Sequence, residues 1–306
     1  MRYSIPGSSI LSCLQQPVTA GLPASAVRSG ASLQRLRGGQ EDEVLRFLAR
    51  RPLHTVIMSG LIRDNGLDSA LNRGAFYAWR NSRGRLQGVA LIGHLTLLET
   101  RSEAALAAFA ELAEAEPRTH TIIGEQKKVE RFRQHYFRRR AVPHLLCREL
   151  LFEQRHPVAE AEAVSRLRLA TGDDLMQVAE AHAQVAEIES GVNPLKTDPD
   201  GYLQRCARRI ELSRVWILKT DERLIFKADV VADTPETIYL EGIYVHPQER
   251  GKGHGLRCLA WLNRHLLTPS RSVCLLVNER NHAAQSLYRR AGFRLRGSYE
   301  TVFLKH

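Results

Sequence analysis

The segment VHPQERGKGHGLRCL (245–259) places Gly251, Gly253 and Gly255 in alternation with Lys252 and His254. Arg250 stands in front, and an apolar helical pattern begins near Leu256. First-turn amides of a helix have no internal partner, and the macrodipole makes that end positive. Residues without a Cβ let anion oxygens approach those amides directly. Arg250 and Lys252 add positive charge. The segment therefore reads as a pyrophosphate cradle; the competing reading is a plain loop whose glycines serve only turns. Other phosphate loops fit worse. The pattern GxxxxGK[ST] fails because glycine follows Lys252, and GxGxxG fails because the third glycine comes one residue early.

Such a loop needs a strand before it and a helix after it. The sequence supplies both, with a strand over 237–247 and a helix over 253–267. A second strand (272–279) and a helix (282–292) stopped by Gly292 follow. Residues 293–305 read as two strands around Gly297-Ser298. Upstream lie a strand, a cap region at Thr171 and Asp173 and a helix within 166–187, a helix over 201–212, and a hairpin over 214–232 turning at 220–222. The first half repeats the order. It has a short amphipathic helix ended by Pro52, a hairpin from strands 75–81 and 85–94, and a strand over 95–100. An Ala/Leu/Glu-rich helix (102–116), a strand (120–125) and a basic helix (126–140) complete it. Ordered structure is expected to begin near Leu36. The expected organisation is a tail over 1–32, domains over 33–152 and 166–306, and a polar linker over 153–165. Each half reads as an α/β unit whose mixed, mostly antiparallel sheet is flanked by helices.

The 306-residue chain carries a net charge of +11, which suits an anionic ligand or partner without choosing among them. Five scattered cysteines without a CxxC pair speak against a disulfide framework and a zinc site, and fit a reducing, cytoplasmic setting. Twelve histidines show no HExxH-type spacing, so no metal is expected. No apolar run approaches the roughly 18 residues of a membrane span. The apolar stretch before LPASA is too short and too interrupted for a secretory signal. RFRQHYFRRR (131–140) interleaves aromatics with arginines, but a solvated helix face with one buried aromatic side explains it, and nucleic acid is not an expected partner.

Two motifs carry a resemblance. Arg250-Gly251-Lys252-Gly253-His254-Gly255 resembles the R-x-x-G-x-G/A acyl-CoA loop of the GNAT (GCN5-related) N-acetyltransferases. NERNHAAQSLYRRAGF (278–293) resembles that family's N-x-x-A-x-x-L-Y-x-x-x-G-F signature at Asn281, Ala284, Leu287, Tyr288, Gly292 and Phe293. From about residue 36 the chain also resembles a two-domain GNAT subfamily whose N-terminal half is a diverged GNAT-like domain, DUF4081. The resemblance implies a tandem GNAT fold and transfer of an acetyl group from acetyl-CoA to an amine, with no metal.

It also implies roles. The backbone of Ile243, Tyr244 and Val245 would pair with the pantetheine arm, and amides from Arg250 through Gly251, Lys252, Gly253, His254 and Gly255 to Leu256 would hold the pyrophosphate. Asn281, at the end of its strand, would bond the pantetheine. Tyr288 would be the general acid toward the leaving sulfur; a phenol, with an ordinary pKa of about 10, can protonate a thiolate of about 8.5. The bland alternative for Tyr288 is a packed helix tyrosine. Glu241 is the candidate general base, against the alternative of a strand residue facing solvent or an arginine. Glu187 and Glu189 could line the acceptor side, and solvent can also take the proton. The N-terminal half has neither motif and is expected to be catalytically empty. The acceptor stays open among a protein amine, a small-molecule amine and an aminoglycoside-like compound, the positive charge disfavouring polycations. The rival expectation is a non-catalytic acetyl-CoA-binding sensor or interaction module.

Overall fold

A computed structural model describes residues 32–137, 143–158, 164–190, 192–220, 222–268 and 271–304, without the side chains of 189 and 190. Outside these lie the tail through residue 31, residues 138–140 of the basic helix, the middle of the 153–165 segment, position 221 of the hairpin turn and the Glu189 side chain. The chain divides into two compact units. Among the described residues, one holds 32–148 and 298–304, the other 149–297.

The first unit contains β1 (Ser32–Arg35), α1 (Glu41–Leu48), α2 (Pro52–Asn65), β2 (Gly74–Arg80), β3 (Leu86–Gly93), β4 (Leu95–Thr100), α3 (Glu103–Ala115), β5 (Thr121–Glu125) and α4 (Gln126–Tyr136). Its strand order is β1-β2-β3-β4-β5, antiparallel except for the parallel pair β4/β5. Two expectations change here. A strand, Ser32–Arg35, lies ahead of Leu36, near which structure was expected to begin. Pro52 opens a second helix instead of only closing the first, because a proline at the first helical position lacks only an N–H that the helix leaves unpaired anyway. Residues 299–303 pair antiparallel with β5, so this unit's last strand comes from the far end of the chain.

Two long strands span both units' residues: β6 (Leu145–Gln154) and, at the C-terminal end, β12 (Arg294–Phe303). The second unit adds β7 (Leu167–Leu169), α5 (Leu175–Ser190), α6 (Pro194–Thr197), α7 (Pro199–Glu211), β8 (Val215–Thr220), β9 (Arg223–Asp233), β10 (Thr237–Val245), α8 (His254–Leu266), β11 (Ser272–Asn278) and α9 (His282–Arg290). Its strands run β6-β11-β10-β9-β8-β7, again antiparallel except for one parallel pair, β10/β11. A capping box between Thr171 and Asp174 leads into α5, so Asp174 takes the capping place expected of Asp173.

The expected pair of strands around Gly297-Ser298 is one continuous strand. The expected linker begins inside β6, whose Glu149, Glu153 and Gln154 are fully buried. Glu153 is satisfied by Arg155 and Arg296, which lets a polar strand end sit in the sheet. On the α8/α9 face, Phe152, Phe226, Leu240, Leu259, Leu262, Leu275 and Phe293 form the core. On the other face Val178, Ile210, Val215, Ile217 and Tyr244 pack under α5 and α7.

Candidate active site

Parallel pairing of β10 with β11 covers Thr237↔Ser272, Ile238↔Val273 and Tyr239↔Cys274. Beyond that point residues 240–243 and 275–278 line a cleft, together with Val185 of α5 and Asn281, Ala284 and Tyr288 of α9. Strand edges that part in this way offer backbone donors and acceptors to an extended chain. Four residues singled out from sequence, Glu241, Ile243, Asn281 and Tyr288, therefore meet at one cleft.

The β10 wall is bulged. Glu241 faces Asp229 and Tyr244 faces Lys227, which leaves Gly242 and Ile243 opposite one residue of β9. Gly242 takes φ +59°, a conformation costly for any residue with a Cβ. A Cβ there would stand 3.0 Å from Lys227 Nζ and 3.2 Å from Asp229 Oδ2. The Tyr244 side chain turns from the cleft to the α5 side, where its hydroxyl donates to Gln184 Oε1.

At the end of β10, residues 247–249 form a short 3-10 turn, and α8 starts at His254. The three glycines divide the work. Gly251 and Gly253 have φ +80° and +84°, and a Cβ on either would meet nothing within 4 Å. Gly255 is helical; its Cβ would stand 3.0 Å from Val245 Cγ2, so it sets how closely α8 approaches β10. The backbone from 250 to 254 is thus bare on its open side, which fits an anion held by amides. The cations are less free than the sequence suggests. Lys252 Nζ lies 3.1 Å from both Glu249 oxygens, His254 Nε2 lies 3.5 Å from Glu249, and Arg250 Nε donates to the Val245 carbonyl. Lys252 in turn holds the Glu249 carboxyl below its usual value.

The helix α9 is fixed at both ends. Asn281 lies three residues past β11 rather than at its end, and caps α9 by accepting from the Ala284 N–H. The strand ends instead at Asn278, a buried cleft residue that sequence reading passed over. At the other end Gly292 (φ +96°) donates to the Arg289 carbonyl and Phe293 to the Tyr288 carbonyl, a Schellman stop. Tyr288 is buried, its ring centroid 6.3 Å from Phe152 and 6.0 Å from Phe293. The glycine and phenylalanine of the signature thereby lock the tyrosine's position.

Behind Glu241 lies a cluster that sequence reading missed. Lys227 and Asp229 of β9 are fully buried, with Nζ 2.8 Å from Asp229 Oδ1. Arg209 of α7 donates to Asp229 Oδ2 at 3.2 Å. His182 of α5 is buried beside them; burial first, then the charges of Lys227 and Arg209, press its pKa well below the usual imidazole range. Burial pulls Arg209 down, but the charges of Asp229 and Glu241 outweigh it and raise its pKa. Glu241 therefore sits at the cleft wall within the field of an arginine. A signal existed: Lys227 and Asp229 share one face of an otherwise apolar strand. Glu187 is exposed and bound to Asn193 and Lys196, and it does not line the cleft.

The described residues of the first unit show no such arrangement. There β4 reaches α3 directly, with Ser102 capping the helix on the Ala105 N–H. The ends of its parallel pair are tied by charge: Arg51 lies 3.0 Å from Glu99 and 2.7 Å from Glu125, and Lys128 lies 2.7 Å and 3.0 Å from the same carboxylates.

Residues 211–295 match the family model described as an acetyltransferase (GNAT) domain. Solved structures resemble nearly the whole chain. A GNAT-family acetyltransferase from Colwellia psychrerythraea shares 13% identity over 90% of this chain and 100% of its own, with a TM-score of 0.53. A Drosophila protein from a structural genomics effort shares 12% over 89% and 98%, with a TM-score of 0.64. A tandem GNAT protein from the clavulanic acid biosynthesis pathway shares 14% over 90% and 99%, with a TM-score of 0.55. No curated protein matches the chain significantly. Identities this low establish the fold and leave activity to the site. No described helix is long and apolar enough to cross a membrane. The chain thus has a tandem GNAT fold, and its residues 211–295 match the model of a GNAT acetyltransferase domain.

Proposed function

We propose that the protein is an acetyl-CoA-dependent N-acetyltransferase with one active site, in the second unit, the first being a DUF4081-like scaffold. The observation that carries this is the alignment of three features on one strand–helix unit: the open left-handed glycines before α8, the parted edges of β10 and β11, and Tyr288 with Glu241 on the cleft. Amides from 250 to 256 hold the pyrophosphate, and the edge at 243–245 receives the pantetheine arm. Asn281 keeps its side-chain N–H2 toward that arm while its oxygen caps α9. A neutral amine attacks the thioester carbon. The C–N bond forms as the carbonyl electron pair moves to oxygen. Collapse breaks the C–S bond, and the departing thiolate takes the Tyr288 hydroxyl proton. The proton lost by the amine goes to Glu241 or to solvent.

A second reading, an acetyl-CoA sensor without turnover, is favoured by one observation: Glu187, a candidate for the acceptor side, is tied to Asn193 and Lys196 and does not line the cleft, which takes one possible proton acceptor away from it. Calorimetry with acetyl-CoA, with desulfo-CoA and ATP as controls, tests the shared premise. One-site binding of acetyl-CoA and not of ATP is expected, and no binding at millimolar ligand refutes both readings. Release of CoA thiol across a panel of amines then separates enzyme from sensor.

A further inference from the structure

Lys227 is the most deeply buried cation described in the second unit, and the acyl-transfer chemistry above gives it no role. Its Nζ lies 2.8 Å from Asp229 Oδ1 and donates a hydrogen bond of 3.3 Å to the Gly242 carbonyl. That carbonyl belongs to the bulge residue at the cleft wall, which has no β9 partner in the register. Burying an ammonium is costly, and an ion pair alone would hold it as well elsewhere in the core. The contact to Gly242 is the one that reaches the cleft.

We infer that Lys227 is a positioning residue for the donor thioester: by holding the Gly242 carbonyl, it turns the Ile243 N–H into the cleft as a hydrogen-bond donor to the acetyl carbonyl oxygen. The inference rests on the acyl-CoA reading above. A trans peptide is planar, with its N–H opposite its C=O. A carbonyl fixed toward Lys227 on β9 therefore sends the Ile243 N–H away from β9, toward the side where β10 has parted from β11. Gly242 and Ile243 both line that side. A donor placed there in advance stabilises the negative charge that grows on the oxygen during attack. Asp229, itself held by Arg209, keeps the ammonium in place from behind.

The test needs no acceptor amine. Acetyl-CoA labelled with carbon-13 at the carbonyl is bound to the full-length protein, and its carbonyl stretch is read by infrared difference spectroscopy. Wild-type protein should lower the stretch relative to free acetyl-CoA. The charge-neutral pair Lys227→Met with Asp229→Asn should bind acetyl-CoA within about threefold of wild type, yet return the stretch to its free value. Gly242→Ala reaches the same contact from the other side, since its Cβ would stand 3.0 Å from Nζ, and the same return is expected. A merely structural lysine would alter affinity or stability without moving that frequency. Variants that bind and keep the full wild-type shift overturn the inference alone, as does a wild-type complex with no shift. Wild-type protein that does not bind acetyl-CoA overturns the acyl-CoA reading, and this inference with it.

Discussion

Gly253→Val separates the cradle from an ordinary turn. Gly253 has φ +84°, and a Cβ there would meet no atom within 4 Å. The substitution therefore causes no clash and costs only left-handed strain, about 1–2 kcal/mol. For a unit of this size that lowers Tm by about 2–8 °C. The new side chain occupies the open side of the amides. If two charge-assisted hydrogen bonds to a phosphate are lost, each of about 1.5–3 kcal/mol, acetyl-CoA affinity falls by at least about 150-fold. Calorimetry with acetyl-CoA and with S-acetylpantetheine, which lacks the pyrophosphate, reads the difference. Affinity for the shorter ligand should be nearly unchanged. Gly255→Ala is the contrast: its Cβ presses on Val245 Cγ2 at 3.0 Å, so it destabilises by about 1 kcal/mol while affinity changes little. Unchanged acetyl-CoA affinity in Gly253→Val refutes the cradle, and equal losses for both ligands assign the effect to general disruption.

Glu249→Gln releases Lys252 and removes a negative charge beside the loop. Acetyl-CoA should bind about two- to fivefold more tightly at low ionic strength, with the gain fading as salt is added. Tyr288→Phe should lower acetyl transfer by about 100-fold or more while leaving acetyl-CoA affinity near wild type, measured by thiol release once an acceptor is found. In the first unit, burial would raise the Glu125 carboxyl, but Arg51 and Lys128 outweigh it and hold the pKa at about 2. That folded value lies below the ordinary one, so the stability it lends, at most about 3 kcal/mol, is present above about pH 4.5 and lost as pH falls toward 2. Urea unfolding of Glu125→Gln should accordingly depend less steeply on acid than that of wild type. Burial pushes the Cys258 thiol up to about 12, so a thiol reagent at pH 8 should leave it unreacted until the protein is unfolded.

What could be read from sequence was what neighbours in the chain decide. A cradle needs only a strand end, small residues and a helix start in succession, and 245–259 contains all three. The cap at Asn281 and the stop at Gly292-Phe293 are equally local, which is why α9 and the place of Tyr288 were legible. Local rules also misled: proline both closes and opens helices, and Pro52 opens α2. Strand membership was harder. The polar end of β6 looked like a linker because its burial depends on Arg296, more than 140 residues away. The pairing of 299–303 with β5 joins segments over 170 residues apart, and no periodicity announces a partner. The same holds for the site. Spacing placed an acid and a loop, but the parting of β10 from β11, the bulge at Gly242 and the Lys227–Asp229–Arg209 cluster behind it arise from side chains of β9, β10 and α7 that meet only in the folded chain. Sequence alone determined which groups could hold a pyrophosphate; tertiary packing decided which backbone amide faces the cleft and which charge stands behind Glu241, because hydrogen-bond direction and electrostatic field depend on distance through space.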